Sequence, residues 1–207
     1  GGSRVRKKAW STFLVYFLVG AFLLTAIPLP YVGGVYAQEI KELSTALVSI
    51  DDVTGVRGLS KEVEKTLIKS LEASPYFVVG DPMDVESAIK ELGLKPPLSI
   101  GRAVEVGAKL DTKTVMLARI MRYEKLKDPL RVKTELVVNL VDVKSGIIIS
   151  KSQILAFSSG YDLAKPTDEI LMRDVVRKAA KLALKEIVDN LKMQGAVISV
   201  RPPDKVV

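Results

Sequence analysis

The chain of 207 residues contains no cysteine and no histidine. Without cysteine there is no disulfide, no thiolate nucleophile, no Cys-based zinc site and no residue that could carry a lipoprotein's lipid. Without histidine the commonest general base and the commonest metal ligand are both missing. Acidic residues are absent from positions 1–37, where Arg4, Arg6, Lys7 and Lys8 supply four of the seven net positive charges. The remainder carries 27 basic against 24 acidic residues, spread along the chain. That excess is too small and too dispersed for a DNA or RNA footprint, so no nucleic-acid partner is expected. Hydrophobic residues make up 48% and charged residues 27%, ample for one domain of ordinary size with accessories.

What the chain does have begins with an export signal. The basic run RVRKK precedes the apolar run WSTFLVYFLVGAFLLTAI at 10–27; Pro28 and Pro30 then stop the helix. Val35 and Ala37 place small residues at the −3 and −1 positions for cleavage after Ala37. The run is also nearly long enough to span a bilayer. Cleaved leader, uncleaved membrane anchor and buried helix all fit, and the first two agree in placing the domain outside the cytoplasm. Residues 1–37 are therefore read as signal peptide or anchor, 38–194 as one α/β domain, and 195–207 as the start of a truncated C-terminal β module. The opening Gly-Gly-Ser in place of methionine agrees with a fragment of a longer reading frame.

Along the domain, TALVSI at 45–50 reads as a strand that runs into Asp51, Asp52, Val53, Thr54, Gly55, Val56, Arg57 and Gly58. Paired carboxylates and two glycines before a helix suggest a cation or phosphate site. The spacing fits neither a P-loop nor an EF-hand, so a strand-to-helix loop with glycines at positive φ is expected instead. Ser60 is the expected cap of a helix over 60–74, with Val63, Leu67, Ile68 and Leu71 on its apolar stripe. A short buried strand at 76–79 follows. Asp81-Pro82 then starts a helix over 82–93 with Val85, Ile89 and Leu92 inward. Ser99 starts a third helix, 99–110, in which Gly101 and Gly107 imply close packing.

The centre of the chain, 113–157, reads as an antiparallel meander. In RVKTELVVNLVDV, Val132, Thr134, Leu136, Val138 and Leu140 share one face, and the turn KSG lets Gly146 take positive φ. The hairpin 131–143/147–157 is its clearest part. A long helix over 167–194 follows, with Leu171, Val175, Ala179, Leu182, Ala183, Ile187 and Leu191 on one stripe and its basic residues on a solvated face. A last strand begins after Gly195 and is expected to lack a partner within the chain. The fold class is thus α/β (α+β), a two- or three-layer sandwich of a mixed sheet covered by four helices.

Several segments carry a family resemblance. Ser74, Phe77, Val78 and Val79 match a helix followed by s-x-x-F-x-V-V. Gly107 and Ala108 match an lGAd segment, with Ala118 where glycine is usual. Asp142, Ser145 and Gly146 match an l-x-D-v-x-T-G-x-i hairpin, with serine for threonine. Over roughly 45–200 the chain resembles the envelope superfamily that contains the curli-secretion subunit CsgG, the amino-terminal domain of TolB and the lipoprotein activators of penicillin-binding proteins. The resemblance implies a non-catalytic α/β domain that assembles with other bacterial envelope proteins. Long inserted amphipathic hairpins of the kind a multi-subunit pore needs are missing from the sequence.

The expected function is therefore an exported scaffold or adaptor in cell-envelope or surface-structure assembly and transport, in the periplasm or envelope. Its partners would be envelope proteins, with self-association open and membrane contact only through an uncleaved N-terminal segment. The loop bearing Asp52, Thr54, Gly55, Arg57 and Gly58, together with the linker 94–98, is the expected partner contact. No catalytic residue, cofactor or metal is assigned. Asp51, Asp52 and Asp81 are the nearest acid/base candidates, and no nucleophile–base pair accompanies them. A small-ligand-binding module is the alternative; it would need a pocket with converging polar groups between sheet and helices.

Overall fold

A computed structural model describes residues 39–40, 42–127, 130–159, 166–193 and 197–198. The leader, the cleavage position at Ala37 and residues 199–207 lie outside the described residues. The elements in chain order are β1 (Glu39–Ile40), β2 (Leu43–Asp52), α1 (Leu59–Glu72), β3 (Phe77–Val79), α2 (Pro82–Glu91), α3 (Ile100–Lys109), β4 (Thr114–Lys127), β5 (Leu130–Asp142), β6 (Ile148–Phe157), α4 (Asp168–Met193) and β7 (Val197–Ile198). β2 to β6 form one open mixed sheet in the order β3-β2-β4-β5-β6. β2 runs parallel to β3 and to β4, and β4, β5 and β6 are the antiparallel meander.

Alternation along the strands sends each sheet face to a different set of helices. On one face Met116, Ala118 and Ile120 of β4 and Val132, Leu136, Val138 and Leu140 of β5 meet Val63, Leu67 and Leu71 of α1 and the inner side of α4. On the other, Ala46, Val48, Val115, Leu117 and Val141 meet Val85 and Ala88 of α2 and Ala103 and Val106 of α3. Among the described residues there are therefore three layers over β2 and the first half of β4, and two over β5–β6. The two- and three-layer expectations each hold for one part of the sheet.

Local signals placed most of these elements. The Asp81 carboxylate accepts the Met83 N–H at 2.8 Å, with Pro82 at the first helical position of α2. Gly146 sits at φ 70°, and the Asp142 carboxylate accepts from both the N–H (2.7 Å) and the hydroxyl (2.6 Å) of Ser145, closing the β5–β6 turn. Some expectations need correction. The cap of α1 is Gly58, at φ 81°, not Ser60: the helix starts one residue earlier, so that Leu59 is fully buried. Leu92 is exposed because α2 ends at Glu91, and Ala88 takes its place inside. Val78 of β3 is exposed on an edge strand. In α4, Leu182 is exposed, whereas Val176, Ala180, Leu184 and Val188 are buried. That helix lies against both the sheet and α1, so its buried face is wider than a single stripe. Finally, the C-terminal strand does have a partner: β7 pairs in parallel with β1.

The two helix glycines of α3 prove unlike. A Cβ on Gly107 would stand 2.5 Å from Val115 Cγ1 and 2.6 Å from Val143 Cγ2, so glycine is what lets α3 lie directly on β4. Gly101 has open space around its α-carbon, contrary to the close packing expected there. Gly107→Ala should therefore cost about 1–3 kcal/mol through overpacking, while Gly101→Ala should gain roughly 0.5 kcal/mol through helix propensity. Urea unfolding midpoints of the two variants should move in opposite directions.

Candidate functional site

The expected contact loop is a set of local turns between β2 and α1. Asp52 Oδ1 accepts the Thr54 N–H at 2.8 Å and the Thr54 hydroxyl at 2.6 Å. Thr54 Oγ1 in turn accepts from Val56 N–H at 3.3 Å, and Val53 N–H bonds to the Ile120 carbonyl at 3.2 Å. Gly55 and Gly58 take φ of 69° and 81°, as a strand-to-helix loop of this kind requires. Asp51 pairs with Arg119 on β4 at 3.0 Å. The two carboxylates are thus spent on different structural partners and do not converge. Among the described residues no group of three or more acidic side chains could hold a metal ion. Arg57 and Gly58 are exposed at the loop's tip, and Val53 beside them is half exposed.

The linker 94–98 is tied down at its end, where Leu98 is buried and its N–H bonds to Ser49 Oγ at 3.0 Å. Beside this linker lies an open groove of about 700 Å³, bounded by Ser60 and Glu64 of α1, residues 47–50 of β2 and residues 82–90 of α2. A second groove, of about 630 Å³, runs between α1 and α4 and carries Lys65, Lys69, Arg173 and Arg177 with Glu62 and Asp174. In it Asp174, almost fully buried, accepts Ser159 N–H at 2.6 Å and pairs with Arg177 at 2.9 Å and Lys178 at 3.1 Å. Burial alone would raise its pKa. The bonds from Ser159 N–H, Lys178 and Arg177 outweigh burial and hold the carboxyl below its ordinary value.

A third surface was not assigned from the sequence. Among the described residues no helix lies on the face of β5–β6 opposite α4, nor on the second half of β4 beside it. There Leu155 and Phe157 of β6 and Leu126 of β4 stand exposed, and Met121 is exposed at the bulge in β4. Polar pairs surround them. Besides the Asp51–Arg119 bridge, Glu124 lies 3.5 Å from Arg122 and 3.6 Å from Lys133, and Gln153 donates to Glu135 at 2.7 Å. At the border with the covered half, Asn139 Oδ1 is buried with no protein partner. The signal for this face was present in IIISKSQILAF: apolar residues fall on both parities of β6, and four helices cannot cover both sides of five strands.

No family model and no curated protein sequence matches the chain. Solved structures do resemble it. Lipoprotein GNA1162 from Neisseria meningitidis matches at 15% identity over 62% of this chain and 90% of that one, with a TM-score of 0.49. PelC from Paraburkholderia phytofirmans, solved as a dodecamer, matches at 11% identity over 72% and 88%, with a TM-score of 0.45. The LpoB C-terminal domain from Salmonella enterica matches at 16% identity over 55% and 81%, with a TM-score of 0.43. The likeness to CsgG and TolB rests on the sequence motifs alone.

The bonds of Asp174 fix the sign of a pH effect. A carboxyl whose folded pKa is lowered contributes stability in full above its unfolded value of about 3.9. That contribution shrinks as pH falls and is gone below the folded pKa. Asp174→Asn should cost about 1–3 kcal/mol near neutral pH. Denaturation midpoints of variant and parent should converge as pH falls below the ordinary carboxyl value and through the lowered folded one.

Proposed function

We propose that this chain is an exported, non-catalytic scaffold or adaptor domain of the bacterial cell envelope, acting through protein–protein contacts. The observation that carries the contact part of this reading is the uncovered half of the sheet. Leu155 and Phe157 of β6 and Leu126 of β4 are large apolar side chains exposed on the same face of the sheet, with Met121 exposed at the β4 bulge. Exposed apolar patches ringed by polar groups mark interaction sites in soluble domains. Export rests on the basic and apolar run of residues 4–37 and its small residues before and at Ala37. The partners are taken to be envelope proteins, and self-association through the same face belongs to the same reading. The loop from Asp52 to Gly58 sits beside this face through the Asp51–Arg119 bridge, so loop and face form one contiguous contact region.

The alternative, a small-ligand-binding module, has less to stand on. Both grooves are open, and the polar atoms lining them do not converge: Ser49 Oγ is already bonded to Leu98 N–H, and Asp174 is held by Ser159, Lys178 and Arg177.

The test is photo-cross-linking in intact cells from a reactive residue placed at Phe157, and separately at Arg57, in the complete reading frame. Envelope proteins joined reproducibly at Phe157 are the expected result. Cytoplasmic partners alone would refute export. Leu155→Asp, at a half-exposed position on the same side of β6, should cost no more than about 1 kcal/mol of folding stability, yet remove the cross-links formed from position 157.

A further inference from the structure

One edge of the sheet is left open inside a groove. β3 pairs with β2 only at Leu43, Ser44 and Thr45, whereas β4 follows β2 on its other side as far as Asp52. Beyond Thr45, whose carbonyl accepts Gly80 N–H at 2.9 Å, the chain leaves the sheet: Asp81 caps α2, and Pro82 has no N–H with which to continue a ladder. Along residues 46–52 no described strand lies against this side of β2. That stretch forms the floor of the 700 Å³ groove, with Leu47 and Ile50 at its base, Ser60 and Glu64 on the α1 wall, and Met83 and Glu86 on the α2 wall.

The other long edge is treated differently. On β6 the Lys151 carbonyl accepts from Asn190 Nδ2 at 3.1 Å and the Phe157 carbonyl from Lys178 Nζ at 3.4 Å, so α4 side chains occupy its exposed backbone. No comparable side-chain bond reaches the edge carbonyls of Leu47 to Ile50 among the described residues. Exposed edges are normally blunted; the β6 edge is met by α4 side chains, whereas the β2 edge carries only a bulge between Leu47 and Ser49 and is framed by two helices.

We infer that this groove receives an extended segment of a partner polypeptide, which continues the sheet beside β2 where β3 stops. The groove sets the chemistry of the occupant. A strand between α1 and α2 presents alternate side chains to the two walls, and both walls are apolar at depth: Leu47 and Ile50 toward α1, Val85 and Ile89 toward α2. At the rim Glu64 and Glu86 carry carboxylates without ion pairs among the described residues, against Lys90 alone. An acidic rim on a chain of net charge +7 favours a segment bearing lysine or arginine. The occupant is thus an extended, β-branched, basic segment, held by main-chain hydrogen bonds and selected by its alternate side chains. This inference rests on the adaptor reading and adds to it a binding mode and a location separate from the uncovered sheet face.

The probe is a capped heptapeptide that alternates valine with lysine and threonine, titrated into the isotope-labelled full chain while amide exchange is followed by NMR. The expected result is saturable binding with new protection at the edge-facing amides of residues 46–51. N-methylation of alternate peptide nitrogens in one phase should weaken binding at least about tenfold, and in the other phase much less. Glu64→Gln with Glu86→Gln, both exposed and remote from the core, should weaken it about fivefold. Protection at residues 151–157 instead, indifference to N-methylation, or no binding would each overturn the proposal. Cross-links from Phe157 to envelope proteins alongside any of those outcomes would leave the adaptor reading standing and remove only the groove.

Discussion

The fold depends on the pairing of β2 with β4. β4 is the one strand that is parallel on one side and antiparallel on the other, so it joins the β2-α1-β3 half to the meander. At the start of that pairing two buried threonines face each other, with Thr45 Oγ1 and Thr114 Oγ1 2.7 Å apart. With one proton per hydroxyl, one threonine donates to the other, and the accepting one donates to its own carbonyl, Leu43 for Thr45 or Ser44 for Thr114; Ser44 Oγ takes the Lys113 N–H at 2.8 Å. A satisfied polar cluster inside an apolar sheet fixes register, because a one-residue slip would leave buried hydroxyls unpaired. Gly107 adds the complementary constraint from above, since α3 can approach Val115 only without a side chain there.

From this register follows the asymmetry of the molecule. α4, at 26 residues, is long enough to cover β5 and β6 on one face and α1 as well. α2 and α3, at ten residues each, reach only β2, the first half of β4 and the end of β5. The meander therefore projects past its cover on one side. The same shortness of β3, three residues against the ten of β2, opens the groove at the other edge. Both proposed contact surfaces are consequences of unequal element lengths rather than of special residues.

That origin explains what could be read in advance. Period-two alternation, the Asp81-Pro82 cap and the Ser145-Gly146 turn report on local geometry, and each lies where it was expected. The glycines at 55 and 58 were legible for the same reason. Ser60 misled because a serine before a helix looks like a cap, whereas burial of Leu59 carried the helix one residue further back. The stripe on α4 was drawn too narrow, since nothing in its sequence says that it has two neighbours. Gly101 and Gly107 are indistinguishable by propensity and are separated only by what stands opposite them. The open edge of β2 was least legible of all. It requires knowing that β3 ends three residues after it begins and on which side of β2 it lies, and neither is a property of the residues that form the groove.

The uncovered face poses a physical problem that its own residues answer. A sheet face with Leu155, Phe157 and Leu126 exposed is an aggregation hazard. Arg119, Arg122, Lys133, Glu124 and Glu135 stand among these side chains, engaged with Asp51, with Gln153 or with one another. Half-exposed ion pairs of this kind add little stability, of order 0–1 kcal/mol each. Their effect is instead selective. An indiscriminate apolar partner would have to desolvate charged groups without replacing their hydrogen bonds, which is costly. A matched partner can keep each pair intact or substitute for one member. The face is thereby closed to random association while its apolar residues remain available to a surface of complementary charge, as the proposed scaffold role would require.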